Sequence, residues 1–153
     1  MWNGAAALRL LSLGNGPVVG DLVGDEDAGE AAVRALTEGD VGAQHGAAAL
    51  AQLMRRVVVP LFGTGVVFPA NSAGEAYREL LLSEGVRLSS GGAAAQASMR
   101  GGYRRLLEGA QGAALSVSAE PDGSASIAAS FSLRSGAYAT SLLRELLCNH
   151  DFM

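Results

Sequence analysis

The sequence contains no lysine, one cysteine (Cys148) and two histidines (His45 and His150), and each shortage narrows what the chain can do. A lone cysteine excludes an internal disulfide framework, and with two histidines beside it no set of zinc ligands can be assembled. Metal chemistry is not expected. Aromatic residues make up 5% of the chain, so the core must be built from Leu, Val and Ala. No apolar run approaches the ~20 residues that cross a bilayer. Met1, Trp2, Asn3 and Gly4 also lack the basic start and apolar stretch of a secretory signal. The expectation is an intracellular protein, in nucleus or cytoplasm, with no membrane contact.

What is present is the material of a folded domain: 153 residues, 49% hydrophobic, 17% charged, with 21 glycines. That length allows one compact domain or pieces of two. The net charge of −4 argues against a surface that is a polyanion trap throughout, but leaves room for a local basic face. All eleven basic residues are arginine, which suits bidentate phosphate contacts and equally fits a base-composition bias in the gene.

Along the chain, Trp2 to Leu13 reads as a helix with Ala5, Leu8, Leu11 and Ser12 near one face, stopped by Gly14-Asn15-Gly16-Pro17. Gly24 to Glu30 is an acidic, solvated loop. Gly46 to Arg56 is helical, and Val57-Val58-Val59-Pro60 is a buried strand closed by a proline turn, a form that Val66-Val67-Phe68-Pro69 repeats. Ser72 and Glu75 have the spacing of a capping box, ahead of a helix carrying Tyr77, Leu80 and Leu81 and ended by Gly85. Residues 86–102 turn small and polar, and a boundary between two structural units is expected near their end.

After that boundary a meander of strands is expected: Tyr103 to Leu107, Ala114 to Ala119, the Glu120-Pro121-Asp122-Gly123 turn, then alternation through Ile127, Ala129, Phe131 and Leu133. The meander feeds a last helix with Ala139, Leu142, Leu143, Leu146 and Leu147 on its apolar stripe. The fold class expected is α/β in the broad sense, an α+β arrangement.

Several segments taken in order resemble the TruD family of RNA pseudouridine synthases, nearest its eukaryotic members. They are Trp2-Asn3, Pro17-Val18-Val19-Gly20-Asp21-Leu22-Val23, Ala35 to Val41, Val57 to Gly63, Val66 to Pro69, Glu75 to Leu80, Gly102 to Arg105, and Phe131 to Thr140 followed by Leu143-Arg144-Glu145-Leu146. The family usually has proline where Phe62, Arg134 and Ser135 stand, so two turns here lose a fixed φ.

The resemblance implies that residues 1–100 belong mostly to the family's insertion domain and 101–153 to the last strands and helix of its catalytic domain. It implies an enzyme, an isomerase that converts uridine to pseudouridine in tRNA or other RNA and needs no metal, nucleotide or redox cofactor. It also implies a nucleophilic aspartate in a Gly-Lys-Asp-Lys type segment, upstream of the part matched here. This chain has six aspartates and none in such a context. The expectation is a C-terminal fragment or a truncated gene product with no catalytic residue of its own, inert alone. The competing expectation is a noncatalytic RNA-binding or interaction domain built on the same fold.

Candidate pocket residues follow from the C-terminal signature. Ser135 and Gly136 sit where a strand gives way to a helix, a place for an anion such as phosphate, with helix capping by Ser135 as the plain alternative. Tyr138 offers a flat ring and a hydroxyl to a base or sugar, or else a packing surface. Leu133 would line an apolar floor or simply be buried, and Thr140 is read as structural. Arg104 is the candidate RNA contact outside that segment, with a solvated surface arginine as its alternative. Asp122 is assigned to its turn, and Asp21, Asp25, Asp27, Asp40 and Asp151 are read as loop or terminal carboxylates with no basic partner at short spacing.

Overall fold

The computed structural model describes residues 1–24, 33–87, 100–135 and 137–147, and the chain divides into two compact units, Met1–Leu107 and Glu108–Met153. The acidic run from Asp25, most of the small polar stretch, Gly136 and the chain from Cys148 onward lie outside the described residues.

The first unit opens with α1 (Trp2–Leu13), ended by Gly14, whose φ of 74° no β-carbon favours and whose N–H returns to the Leu10 carbonyl at 2.9 Å. Its inner face is not the stripe expected. Ala5, Ala6 and Arg9 are buried with Trp2 and Leu10 packed beside them, while Leu11 is 84% exposed. The small side chains let α1 settle closely on its neighbours, to the point that a β-carbon on Gly4 would lie 3.2 Å from Leu80.

Next come β1 (Leu22–Gly24), β2 (Val33–Ala35), α2 (Glu38–Gly42), α3 (Ala47–Met54), β3 (Val57–Leu61), α4 (Ser72–Ser83) and β4 (Gly102–Arg105). The strands form one antiparallel sheet in the order β2-β1-β3-β4. β3 is central and buried from Val57 through Pro60, which explains its continuous apolar run. Pro60 lies inside β3 rather than closing it. The missing N–H is tolerated there because β1 pairs only with Val57 and Val58, leaving that side of Pro60 without a ladder to complete. Val23, Val57, Val59 and Leu106 share a core with Ala5 and Ala6 of α1 and Tyr77 and Leu81 of α4.

Val66 to Pro69 is not a strand, although Val66 and Phe68 are buried. Phe68 stacks edge-on against Tyr77 at 5.4 Å and leaves the ladder role to β4. The N-cap of α4 is Asn71, one residue before the expected Ser72. Its side-chain oxygen accepts from the Ala73 N–H at 3.2 Å, and its amide reaches back to the Val19 carbonyl and Asp21. A second cap had not been expected: Thr37 and Asp40 close a capping box on α2.

The second unit contains β5 (Gln111–Ala119), β6 (Ala125–Ser132) and α5 (Ala139–Leu147). β4 therefore does not belong to the expected C-terminal meander. It pairs with β3, because Val59↔Arg104 and Pro60↔Tyr103 place Leu106 in the first unit's core. β5 and β6 form an antiparallel hairpin joined by the Pro-Asp-Gly turn, with Gly123 at φ 84° and Asp122 accepting from the Ser124 N–H at 2.9 Å and hydroxyl at 2.6 Å. The register Leu115↔Ala129 and Val117↔Ile127 lines one face with apolar side chains and the other with serine and alanine. Leu115, Val117 and Ile127 are each more than half exposed. Helices and antiparallel sheets together make the chain a mixed α/β protein, as the sequence implied.

Candidate functional site

β6 stops at Ser132, one residue before Leu133, which is half-buried. Opposite that end, the register of β5 shifts between Gln111 and Ala114, a bulge in which Gly112 takes φ 59°. The chain then makes a turn in which the Ala137 N–H donates to the Arg134 carbonyl at 3.1 Å, with Ser135 inside it and exposed. α5 begins only at Ala139, where the Tyr138 carbonyl accepts from the N–H groups of Ser141 at 3.1 Å and Leu142 at 3.4 Å. Ser135 is thus not the N-cap: the Arg134–Ala137 turn takes up the residues between strand and helix. Gly136 lies outside the described residues.

Tyr138 stands at the position ahead of α5 and is 65% exposed, so within its unit it is not a core residue. Thr140, on the first turn, is exposed. Leu133, Ser135, Tyr138 and Thr140 therefore occupy one strand-to-helix junction of the second unit. Arg104 belongs to the first unit, on β4, with its guanidinium carbon 5.9 Å from the Trp2 ring centroid. The Trp2 indole N–H is held by the Val59 carbonyl at 3.2 Å, directly across the ladder from Arg104.

The aspartates in the described residues are all engaged. Asp21 is 1% exposed and has a basic partner after all: Arg9 donates to its two oxygens at 2.8 and 2.6 Å, joined by the Val18 N–H at 2.9 Å and the Asn71 amide at 3.1 Å. The remaining Arg9 donors close on the Gly14 and Gly16 carbonyls, both at 2.6 Å. Short sequence spacing did not reveal this pair because it joins α1 to the residue just ahead of β1, past the intervening turn. The available signal was a charge at the centre of the face that carries Trp2, Ala5 and Ala6. Asp40 is bridged by Arg34 through two contacts of 2.7 Å, and the Arg34 bonds, then the Thr37 N–H and hydroxyl, hold its carboxyl well below the usual carboxylate range. Asp122 is lowered by the Ser124 hydroxyl and N–H in its turn.

A small cavity beside Arg9, Asp21, Ala73 and Tyr77, with a volume of about 10 Å³, has room for a water-sized occupant and none for a nucleoside. Among the described residues no three His, Cys, Asp or Glu side chains gather where they could hold a metal ion, and no helix is long and apolar enough to cross a membrane.

Comparison with known proteins adds the family. The model of the family described as tRNA pseudouridine synthase D (TruD) matches residues 1–146. A mouse (Mus musculus) protein named pseudouridylate synthase PUS7L is 28% identical over 167 aligned positions, which cover 96% of this chain and 23% of that protein. This chain thus spans about a quarter of the length of that relative. With a match running from Met1 into the last turn of α5, the chain belongs to the TruD family of pseudouridine synthases.

Proposed function

We propose that this chain is the RNA-positioning portion of a pseudouridine synthase that isomerises uridine in tRNA or other RNA, and that it carries no nucleophile itself. The observation that supports this reading most is the family match over residues 1–146. Pseudouridylation needs an ionised carboxylate beside a flipped-out uridine, and no metal or redox cofactor. Asp21, Asp40 and Asp122 each serve a structural bond network, so none is available for that role.

Residues 1–100 correspond in this reading to the insertion domain and 101–153 to the end of the catalytic domain, which would work on RNA in the nucleus or cytoplasm. In this reading Leu133, Ser135, Tyr138 and Thr140 belong to the rim of the uridine pocket, and Gly136, outside the described residues, is assigned to it by its place in the sequence. The exposure of Tyr138 supports a ligand-facing role over a packing one. The β5–β6 hairpin exposes Leu115, Val117 and Ile127 on one face, which fits a strand pair that packs against further chain in a longer protein.

The test uses the protein translated from the longest in-frame transcript containing these residues, incubated with uridine-containing RNA and assayed for pseudouridine by mass spectrometry. Product is expected, and Tyr138→Ala in that protein should lower turnover about tenfold to hundredfold with little change in melting temperature. RNA binding without product would favour the second reading, a noncatalytic RNA-binding domain. The engaged state of Asp21, Asp40 and Asp122 is the observation on its side.

A further inference from the structure

The second unit carries little positive charge. Residues 108–153 hold five carboxylates against two arginines, Arg134 and Arg144, so this unit attracts a polyanion only where a guanidinium is specifically placed. Arg144, on α5, is half-buried and already engaged within the protein. Arg134 is exposed, and among the described residues its side chain has no ion pair and no hydrogen bond.

Arg134 stands at the strand-to-helix junction itself. Its carbonyl accepts from the Ala137 N–H at 3.1 Å, a closure that brings the two ends of the turn to within about 7 Å, against roughly 10 Å for the same residues extended. The turn therefore sets the backbone of Arg134 beside Ala137, whose neighbour in the chain is Tyr138. Ser135 and Tyr138 are exposed as well, and neither hydroxyl is bonded among the described residues.

No described carboxylate of the unit neutralises Arg134. Glu120 and Asp122 lie at the turn end of the hairpin, the length of the eight-residue β6 away. That is about 25 Å, several times the ~8 Å over which salt screens a charge. Asp122 is in addition held by Ser124, and Glu145 on α5 is engaged in a contact of its own. Glu108, ahead of β5, is exposed and forms no ion pair with Arg134.

We infer that Arg134 is a further RNA-positioning residue, whose guanidinium takes the phosphate of the nucleotide that Tyr138 meets through base or sugar. The inference rests on the RNA-modifying reading above, which supplies the substrate class. A nucleotide presents a phosphate, a ribose and a flat base, and the junction offers a planar cation, a serine hydroxyl and a phenol between Arg134 and Tyr138. A guanidinium fork meets phosphate oxygens through two parallel N–H groups, so it fixes the RNA backbone in orientation as well as in place. Drawing a uridine out of its stack rotates it about that backbone, and a held phosphate gives the rotation a fixed point.

The experiment uses the protein translated from the longest in-frame transcript containing these residues. It is titrated with a fluorescently labelled oligouridylate at a series of salt concentrations, and binding is read by anisotropy. One phosphate contact on a single strand releases roughly 0.7 of a counterion, so Arg134→Gln should flatten the slope of log affinity against log salt by about 0.7. The affinity itself should fall about tenfold. Arg134→Lys should restore the slope and only part of the affinity, because an ammonium keeps the charge and loses the fork. Arg87→Gln, at an exposed arginine of the first unit, controls for overall charge and should leave both nearly unchanged. The turn is closed by backbone atoms and the Arg134 side chain is exposed, so R134Q should melt with the parent.

An unchanged slope in R134Q, an equal loss in R87Q, or no RNA binding by the parent would overturn the inference. Pseudouridine formation by the parent is assayed separately. Binding that depends on Arg134 without any product would count against the synthase reading and for this contact, and product with a salt slope indifferent to Arg134 would do the reverse.

Discussion

Replacing Arg9 by methionine probes the polar centre on which the first unit is assembled. Arg9 and Asp21 side chains are 3% and 2% exposed, and the guanidinium makes four bonds: two to the carboxylate and one each to the Gly14 and Gly16 carbonyls. Methionine keeps the stem and its packing but leaves a buried carboxylate with only the Val18 N–H and the Asn71 amide, and frees two carbonyls at the end of α1. Removing one partner of a buried ion pair costs about 3–5 kcal/mol, a large part of the ~5–15 kcal/mol that holds a domain of this size. Trp2 is the chain's one tryptophan and packs against the same core, so urea unfolding followed by its fluorescence reports this unit specifically. R9M should unfold at much lower urea, and R9M/D21N should lose less than the sum of the single changes, with a coupling of about 1–3 kcal/mol. A loss below about 1 kcal/mol for R9M, or strict additivity, would refute the reading that the pair acts as a unit.

Three other outcomes follow from named contacts. Gly20→Ala should lower the melting temperature markedly, because Gly20 sits at φ 86° and a β-carbon there would lie 2.8 Å from the Ala70 carbonyl, whereas Gly16→Ala, with nothing within 4 Å, should be nearly neutral. Asp40 titrates below its unfolded value of about 3.9, so its contribution is complete above that pH and is lost as the pH falls toward the folded value. Carboxyl-carbon NMR should show that low midpoint, and Arg34→Gln should move it upward. Asn71→Ala removes both the α4 cap and a partner of Asp21, and should cost more than the ~1 kcal/mol of an ordinary cap in the same urea assay.

Elements set by local pattern were legible in the sequence. The helix stop at Gly14, the Pro-Asp-Gly turn and the alternation of β5 and β6 all follow from residues a few positions apart. What sequence reasoning missed depends on partners distant in the chain. Arg9 faces inward because Asp21 comes back to meet it, and β4 joins the first unit because its register with β3 buries Leu106. Ser72 was passed over as cap because Asn71 also bonds Val19 and Asp21, a gain that spacing alone does not display. At the junction, the alternation through Leu133 located the strand end to within a residue, but the Arg134–Ala137 turn delays α5 to Ala139, so that Ser135 falls in the turn instead of capping the helix. Arg104 was visible as part of a basic pair, and its place over Trp2 was not, since only the fold of α1 onto β3 and β4 makes them neighbours.

The central claim, that this chain belongs to an RNA-modifying protein without carrying the nucleophile itself, meets its most direct test in one assay. The purified 153-residue chain is incubated with uridine-containing RNA, and the digested RNA is measured for pseudouridine by mass spectrometry. The account predicts no product above a control without protein, even where binding is saturated. Pseudouridine formed by the chain alone would contradict it and require a nucleophile within these 153 residues.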